Sequence, residues 1–323
     1  MDEEIRRDLI RKKLKASNGG QNWVVARYHA KYPESGEREY IQLCDSYMAI
    51  EKQVLLKYIP ELKCIISDGT KLHMDSISDN DEKRKKRRFE YLDNTIRRFR
   101  ILFETIRQEV DSSFGLYHLS GALKRVAALD RKLSVKEWKK TIARTLGIDI
   151  LEDYYSGEFY REMLEKWVAD NVNLITSVKD ASLEKMKEIV YTNFMEGKST
   201  TSIIKRIQHQ YGMDKRHARM IARDQTAKLN AALTKHQQTD AGIIRYEWST
   251  SLDVRVRAGD KKGKGMIDPM GNNHKRLEGK IFCWDDPPLV DRKRGRRCHP
   301  GEDYQCRCCA LPIFDFDTLD LPV

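Results

Sequence analysis

No stretch of about 18 apolar residues runs through this chain, so no transmembrane helix is expected. Nor does it open as a secreted protein does. Met1-Asp2-Glu3-Glu4 leads straight into a charged segment, and no signal peptide is expected. A His-Glu-x-x-His pair, a phosphate-cradling glycine loop and a serine nucleophile elbow are all missing, which removes the best-known hydrolase and nucleotide-binding signatures. There is no internal repeat and no low-complexity segment. The seven cysteines are odd in number, and Cys44 and Cys64 lie far from the other five, so a reducing compartment fits better than a disulfide framework.

What is present is charge. The 323 residues carry a formal net charge of +11, with pI near 9.2, an apolar fraction of 40% and a charged fraction of 34%. A mean hydropathy of -0.67 is polar for one compact globule. Such a chain is rich in exposed helices or buries surface in partners. The basic balance favours polyanionic company, DNA or RNA first, against the plainer reading of a Lys/Arg-rich solvated surface.

Periodicity makes the chain mainly α, with a small carboxyl-terminal α+β module and extended helical amino-terminal and middle regions. Residues 1–130 read as the first helical region, 131–213 as the second and 214–323 as the terminal domain. The charged segment at 2–16 predicts a surface helix, stopped at Ser17-Asn18-Gly19-Gly20. Asn22 to Tyr32 also reads as helix, and Pro33-Glu34-Ser35-Gly36 as a turn. Tyr40, Ile41, Cys44, Tyr47, Met48, Leu55 and Leu56 mark an amphipathic helix that Pro60 interrupts or bends, with a turn at Asp68-Gly69. Ser134 with Glu137 forms a capping-box pattern that opens a helix ending at Gly147. Further helices are expected from Ser182 to Met195 and from the Ser199-Thr200-Thr201-Ser202 cap to Gly212. Asp214 to Ala241 is the clearest helix. After Gly242, Ile244 to Trp248 and Leu252 to Arg257 alternate as strands do, and the glycine-rich Ala258–Asn273 reads as a mobile loop.

Soft metal ligands gather in this last region. His299, Cys306 and Cys308, with His274 as a fourth, have the chemistry of a tetrahedral Cys2His2 zinc site. Cys306 and Cys308 point the same way if their segment is extended. Cys283, Cys298 and Cys309 are spare ligands. The two-residue spacing usual between zinc cysteines is absent. Buried free cysteines packing as small hydrophobes, with both histidines bonded to backbone, is the competing reading. His274, His299, Asp253, Asp285 and Asp286 also allow a metal nuclease site, a minority reading.

Four parts of the sequence together carry a resemblance. They are ARMIARDQTAKLNAAL, GIIRYEWSTSLDVRVR, HKRLEGKIFCWDDPP and HPGEDYQCRCCALP, in that order, within about Arg216 to Pro312. This stretch resembles the phage head morphogenesis or minor head proteins typified by protein F of bacteriophage Mu. His274, His299 and the Cys306-x-Cys308 pair match the family motif. This sequence departs from the pattern in the Ala258–Asn273 insertion between the Asp253-x-Arg255-x-Arg257 strand and His274. The resemblance implies a non-enzymatic minor capsid protein of a tailed phage, present in few copies near the portal or inside the shell. It also implies a life in the virion head, passed first in the host cytoplasm during assembly.

Three basic features suit that setting. They are the run Lys83, Arg84, Lys85, Lys86, Arg87, Arg88, the helical set Arg216, Arg219, Arg223, and the run Arg292, Lys293, Arg294, Arg296, Arg297. They can neutralise packaged DNA without reading sequence, or meet acidic portal and capsid surfaces. No membrane partner is expected. The function read from sequence is thus a head protein binding portal, shell or DNA. The alternative is a metal-dependent nucleic-acid-binding or nicking protein.

Overall fold

A computed structural model describes residues 3–75, 82–115, 119–151, 155, 157–250 and 274–322, with only the backbone given for 3, 71–75 and 82–88. The protein is mainly α with a small carboxyl-terminal strand module, as periodicity predicts. Among the described residues there are six α-helices, α1 Glu3–Ser17, α2 Glu34–Asp75, α3 Glu82–Gly115, α4 Leu119–Leu146, α5 Glu158–Met195 and α6 Thr200–Asp240. The strands are β1 Trp23–Val25, β2 Arg245–Ser249, β3 Ile281–Cys283, β4 Leu289–Asp291, β5 Arg296–Arg297 and β6 Cys309–Asp315. A 3-10 turn covers Lys275–Leu277. Among the described residues no helix is long and apolar enough to cross a membrane.

The helices run longer than their sequence punctuation suggests. Pro60 lies inside α2, which continues unbroken to Asp75. Losing one backbone bond costs less than the flanking apolar residues gain, because Leu62, Ile65 and Ile66 are buried there. Gly69 is no turn. A Cβ at that position would meet Phe194 at 2.6 Å and Thr95 at 2.9 Å, so the glycine allows a close helix approach. The expected turn at 33–36 is the entry to α2, with Pro33 directly before the first helical residue. The Ser134–Glu137 pattern falls within α4 rather than at its start. Glu137 instead accepts from the Tyr28 hydroxyl at 2.6 Å and the Lys31 amide at 3.0 Å. Ser182 lies inside α5 and Gly212 inside α6, so neither begins nor ends a helix. Packing on both sides outweighs the roughly 1 kcal/mol cost of an interior glycine. The Ser199 cap is real: its hydroxyl oxygen accepts from the Ser202 amide at 3.3 Å.

One expected helix is a strand. Trp23-Val24-Val25 pairs antiparallel with β6, Val24 opposite Phe314. Two β-branched residues beside an aromatic fit a pleated surface. Their partner strand lies at the far end of the chain, where no local pattern reveals it.

The chain divides into two compact units that are not consecutive in sequence. One holds Met1–Glu39, Lys124–Val168 and Arg223–Val323; the other holds Tyr40–Leu123 and Ala169–Ala222. The expected boundaries after 130 and after 213 both fall inside helices, α4 and α6. The second unit is helical, built on Ile66, Phe99, Leu102, Met186, Val190 and Ile203. The first is mixed. Its antiparallel sheet runs β1-β6-β2-β3, and β4 and β5 form a separate hairpin. Tyr246, Trp248, Leu277, Trp284 and Val290 pack its apolar cluster. Helix α6 is tied to the sheet by Gln238, which donates to the Ala310 carbonyl at 2.9 Å and accepts from the Trp284 indole at 3.2 Å. The expected strand at Leu252–Arg257 and the loop at Ala258–Asn273 lie outside the described residues, as do Asp253 and Arg255.

Candidate metal centre

Three side chains of the mixed unit converge. His274 sits at the start of the 3-10 turn, and Cys306 and Cys308 lie just before β6. Strand β6 is held by β2, with Ser249 opposite Cys309, which fixes the two thiols beside the sheet end. Gln305, at φ 50, is the non-glycine residue in the left-handed region among the described residues. Its amide donates to Asp224 on α6 at 2.7 Å, and that anchors the sharp turn into Cys306. Gly301, at φ 84, lets the preceding turn touch α6, since a Cβ there would stand 2.8 Å from the Ala231 methyl. The small residues of α6 thus bring the cysteine loop close.

The His274 Nδ1 lies 3.4 Å from Cys306 Sγ and 3.5 Å from Cys308 Sγ. All three ligand atoms fall within 4.8 Å of one another, with His274 and Cys306 buried and Cys308 half-buried. The Cys308 amide points at Cys306 Sγ from 3.4 Å. On its other side the imidazole bonds through Nε2 to Asp303 Oδ2 at 3.0 Å. Asp303 is 3% exposed and is itself held by Arg296 at 3.0 Å and by the Tyr304 amide at 2.8 Å. The edge of the Trp248 ring closes the histidine's flank.

The electrostatics follow from that order. Burial alone would lower His274, but Asp303 and Cys306 raise it above its ordinary value. Cys306 is held well below the usual thiol range by bonding from Cys308, against the cost of burial and with the help of His274. Cys308 is pushed well up by Cys306 and by burial. The arrangement stabilises one thiolate next to a buried imidazole, the state from which thiols ligate metals.

His299, expected in the same set, stands apart. Its Nδ1 bonds the Tyr246 hydroxyl at 2.8 Å, the backbone of Trp284 also bonds the ring, and burial lowers its pKa. With both sides of the ring engaged and Trp284 packed against it, His299 is a core histidine. The structure therefore brings together His274, Cys306 and Cys308 and leaves His299 out. Cys298 belongs to the apolar cluster, its thiol pushed up to about 12 by burial. Cys309, pushed up to about 11 by burial, and Cys283, half-buried on β3, are free thiols. Asp303 was not singled out from sequence, and Arg296 only as part of a basic run. Two acids, Glu302 and Asp303, lie between His299 and Cys306, and spacing does not say which supports the ring.

A cleft of about 290 Å³ opens beside the cluster. Cys306, Cys308 and Cys309 line it from the sheet side, Asn230 and Thr234 from α6, and His29, Tyr32 and Glu34 from the amino-terminal stretch. Nothing local in the sequence links that stretch to the cysteines.

Among the described residues, the basic features are mostly tied down. Arg219 grips Asp45, with its Nε at 2.7 Å. Arg223 lies 3.6 Å from Glu37, and Arg216 is exposed. The run from Arg292 forms the tip of the β4–β5 hairpin. There Arg294 faces Asp291 at 3.6 Å, Arg296 turns inward to Asp303, and Arg297 pairs with Asp286 at 2.8 Å. Arg292 and Lys293 are exposed. The side chains of Lys83, Arg84, Lys85, Lys86, Arg87 and Arg88 lie outside the described residues, although their backbone is in α3.

Residues 184–311 match the family described as Phage Mu protein F like protein. The match covers less than half of the chain. It begins within α5 and takes in α6, His274, His299, Cys306 and Cys308. An uncharacterized protein of Haemophilus influenzae is 31% identical over 169 residues, covering 52% of this chain and 33% of that relative. Minor head protein GP7 of Bacillus phage SPP1 is 22% identical over 163 residues, covering 48% of this chain and 50% of that protein. The chain thus spans a third to a half of the length of these curated relatives. No solved structure matches.

Proposed function

We propose that this chain is a structural protein of a tailed-phage head, acting in head morphogenesis by binding other head components rather than by turnover. The carrying observation is the Mu F-like match across residues 184–311, supported by the likeness to a protein named as a minor head protein. The chemistry favours protein partners, portal or shell, over packaged DNA. Arg219, Arg223, Arg294, Arg296 and Arg297 already face carboxylates of the same chain, and each would have to exchange that partner for a phosphate. The chain would work in several copies, assembled in the host cytoplasm and retained in the virion.

The test is quantitative mass spectrometry of proheads and mature heads from the phage or prophage that encodes the chain, with a deletion of its gene alongside. The expected result is co-purification with heads and a fall in infectious yield on deletion. Absence from heads at every stage, with undiminished yield, would overturn the reading.

One observation favours a second reading, a metal-dependent nicking protein: the His–Cys cluster borders a cleft. Nucleases that use Mg²⁺ or Mn²⁺ need oxygen-rich sites, whereas two thiolates select softer ions. Purified chain should therefore leave supercoiled plasmid intact across divalent metals, and metal-dependent nicking lost in His274→Ala would establish the second reading instead.

A further inference from the structure

We infer that His274, Cys306 and Cys308 form a zinc-class metal centre with three protein ligands, whose fourth position opens on the cleft. The inference stands on geometry and holds whether or not the chain is a head protein.

Distances come first. With Zn–S bonds of about 2.3 Å and Zn–N bonds of about 2.0–2.1 Å, a tetrahedral centre sets its N and S donors about 3.5–3.6 Å apart. The two observed edges, 3.4 and 3.5 Å, have that length.

Hydrogen bonding alone explains the cluster less well. A neutral imidazole has one acceptor nitrogen and one donor. Nε2 is committed to the Asp303 carboxylate, which it approaches as a donor. Nδ1 then has one lone pair, yet two thiols converge on it. If Nδ1 is protonated instead, its one hydrogen serves one sulfur and leaves the other only its bond to the first. A cation at the centre satisfies all three atoms at once.

The surroundings match what metal-bound histidines require. A carboxylate on the far nitrogen fixes the tautomer and makes the ring a better ligand. Asp303 does this, and Arg296 holds Asp303 in turn. The Cys308 amide aimed at Cys306 Sγ stabilises thiolate charge.

The fourth position follows from access. Among the described residues no other His, Cys, Asp or Glu joins the three. Both thiols line the cleft, so the remaining coordination site takes water or a small anionic or nitrogen ligand entering there. Two thiolates with one imidazole select zinc over magnesium or calcium. Binding releases the protons that the ligands carry, so affinity weakens as pH falls.

The test uses the full-length chain, stripped by chelator under reducing conditions and loaded with Co²⁺ alone. One cobalt per chain is expected, with the visible bands of a tetrahedral site and thiolate charge-transfer absorption. Cys306→Ser and Cys308→Ser should each remove about half of that charge-transfer intensity. Asp303→Asn should weaken binding by about 10–100-fold while keeping the spectrum. His299→Ala and Cys298→Ser should leave it unchanged. Added azide or imidazole should shift the visible bands of the wild-type centre. Failure of the folded wild-type chain to take up cobalt overturns the site. Loss of intensity in Cys309→Ser overturns the ligand set, and bands indifferent to azide and imidazole overturn the open position.

Discussion

The two units are held together in different ways. The helical unit is a meeting of long apolar stripes: Phe99, Leu102, Ile106, Met186 and Val190 are all at most 3% exposed. Each stripe is written locally, three and four residues apart. The mixed unit gathers three segments from the whole length of the chain. Trp23 pairs with Asp315, Arg7 with Asp320, and Arg11 donates to the Leu319 carbonyl at 2.8 Å. Its strands are two to seven residues long. Elements so short need convergent polar and aromatic ties, and the His274–Cys306–Cys308 cluster lies among those ties. The difference teaches that a helical core can be specified by repetition, whereas this sheet depends on single residues that meet once.

The sharpest way to break the comparison is to empty each core in turn. All five tryptophans lie in the mixed unit, so indole fluorescence reports on that unit and far-ultraviolet circular dichroism mainly on the helices. Trp248→Ala and Phe99→Ala should each cost about 3–5 kcal/mol by denaturant titration. Phe99→Ala should leave the native fluorescence maximum in place. Trp248→Ala, which removes the ring beside His274, should also perturb the cobalt spectrum. A cobalt spectrum altered equally by Phe99→Ala would end the distinction.

A pH series comes next. In the helical unit, Ser182 Oγ lies 2.6 Å from Glu51 and 2.9 Å from Asp214. One hydroxyl hydrogen serves only one acceptor, so the other contact calls for a carboxyl proton. Burial, opposed by the Ser182 bond and reinforced by Asp214, pushes Glu51 up to about 7. A folded pKa above the unfolded one gives stability that is complete below about 4.5 and lost as pH rises through 7. Glu51 should thus contribute a fall in stability on the order of 2–3 kcal/mol between pH 5 and pH 8. Glu51→Gln should flatten that slope, and an unchanged slope in the variant would assign the dependence elsewhere.

Smaller effects sharpen the picture of the mixed unit. Gly301→Ala forces a side chain at φ 84 and into Ala231, at a cost of about 1–3 kcal/mol seen as an earlier fluorescence transition. Arg7→Ala, at the half-exposed pair with Asp320, should cost under about 1 kcal/mol and fade with salt. A larger loss there would mean that the terminal ties carry more of the unit than its sheet.

Much of the helical unit was legible, because a 3.6-residue stripe declares a helix wherever it packs. The ends were not. Pro60, Ser182 and Gly212 each read as punctuation, and packing on both sides overrode all three. In the candidate metal centre, Cys306, Cys308 and His274 could be named from residue chemistry and the Mu F-like pattern. His299 has the same chemistry, and only the Tyr246 hydroxyl and the Trp284 backbone remove it from the set. Neither neighbour is apparent from spacing.

Sequence by itself determined the helical class, the basic balance and the supply of soft ligands near the carboxyl end, because periodicity, charge and donor atoms are properties of residues and near neighbours. Tertiary structure alone decided that residues 23–25 are a strand, that Asp303 rather than His299 supports the site, and that the cleft borrows His29 and Tyr32. Those outcomes depend on which distant groups arrive first at a single lone pair or a single sheet edge, and each such position accepts one partner.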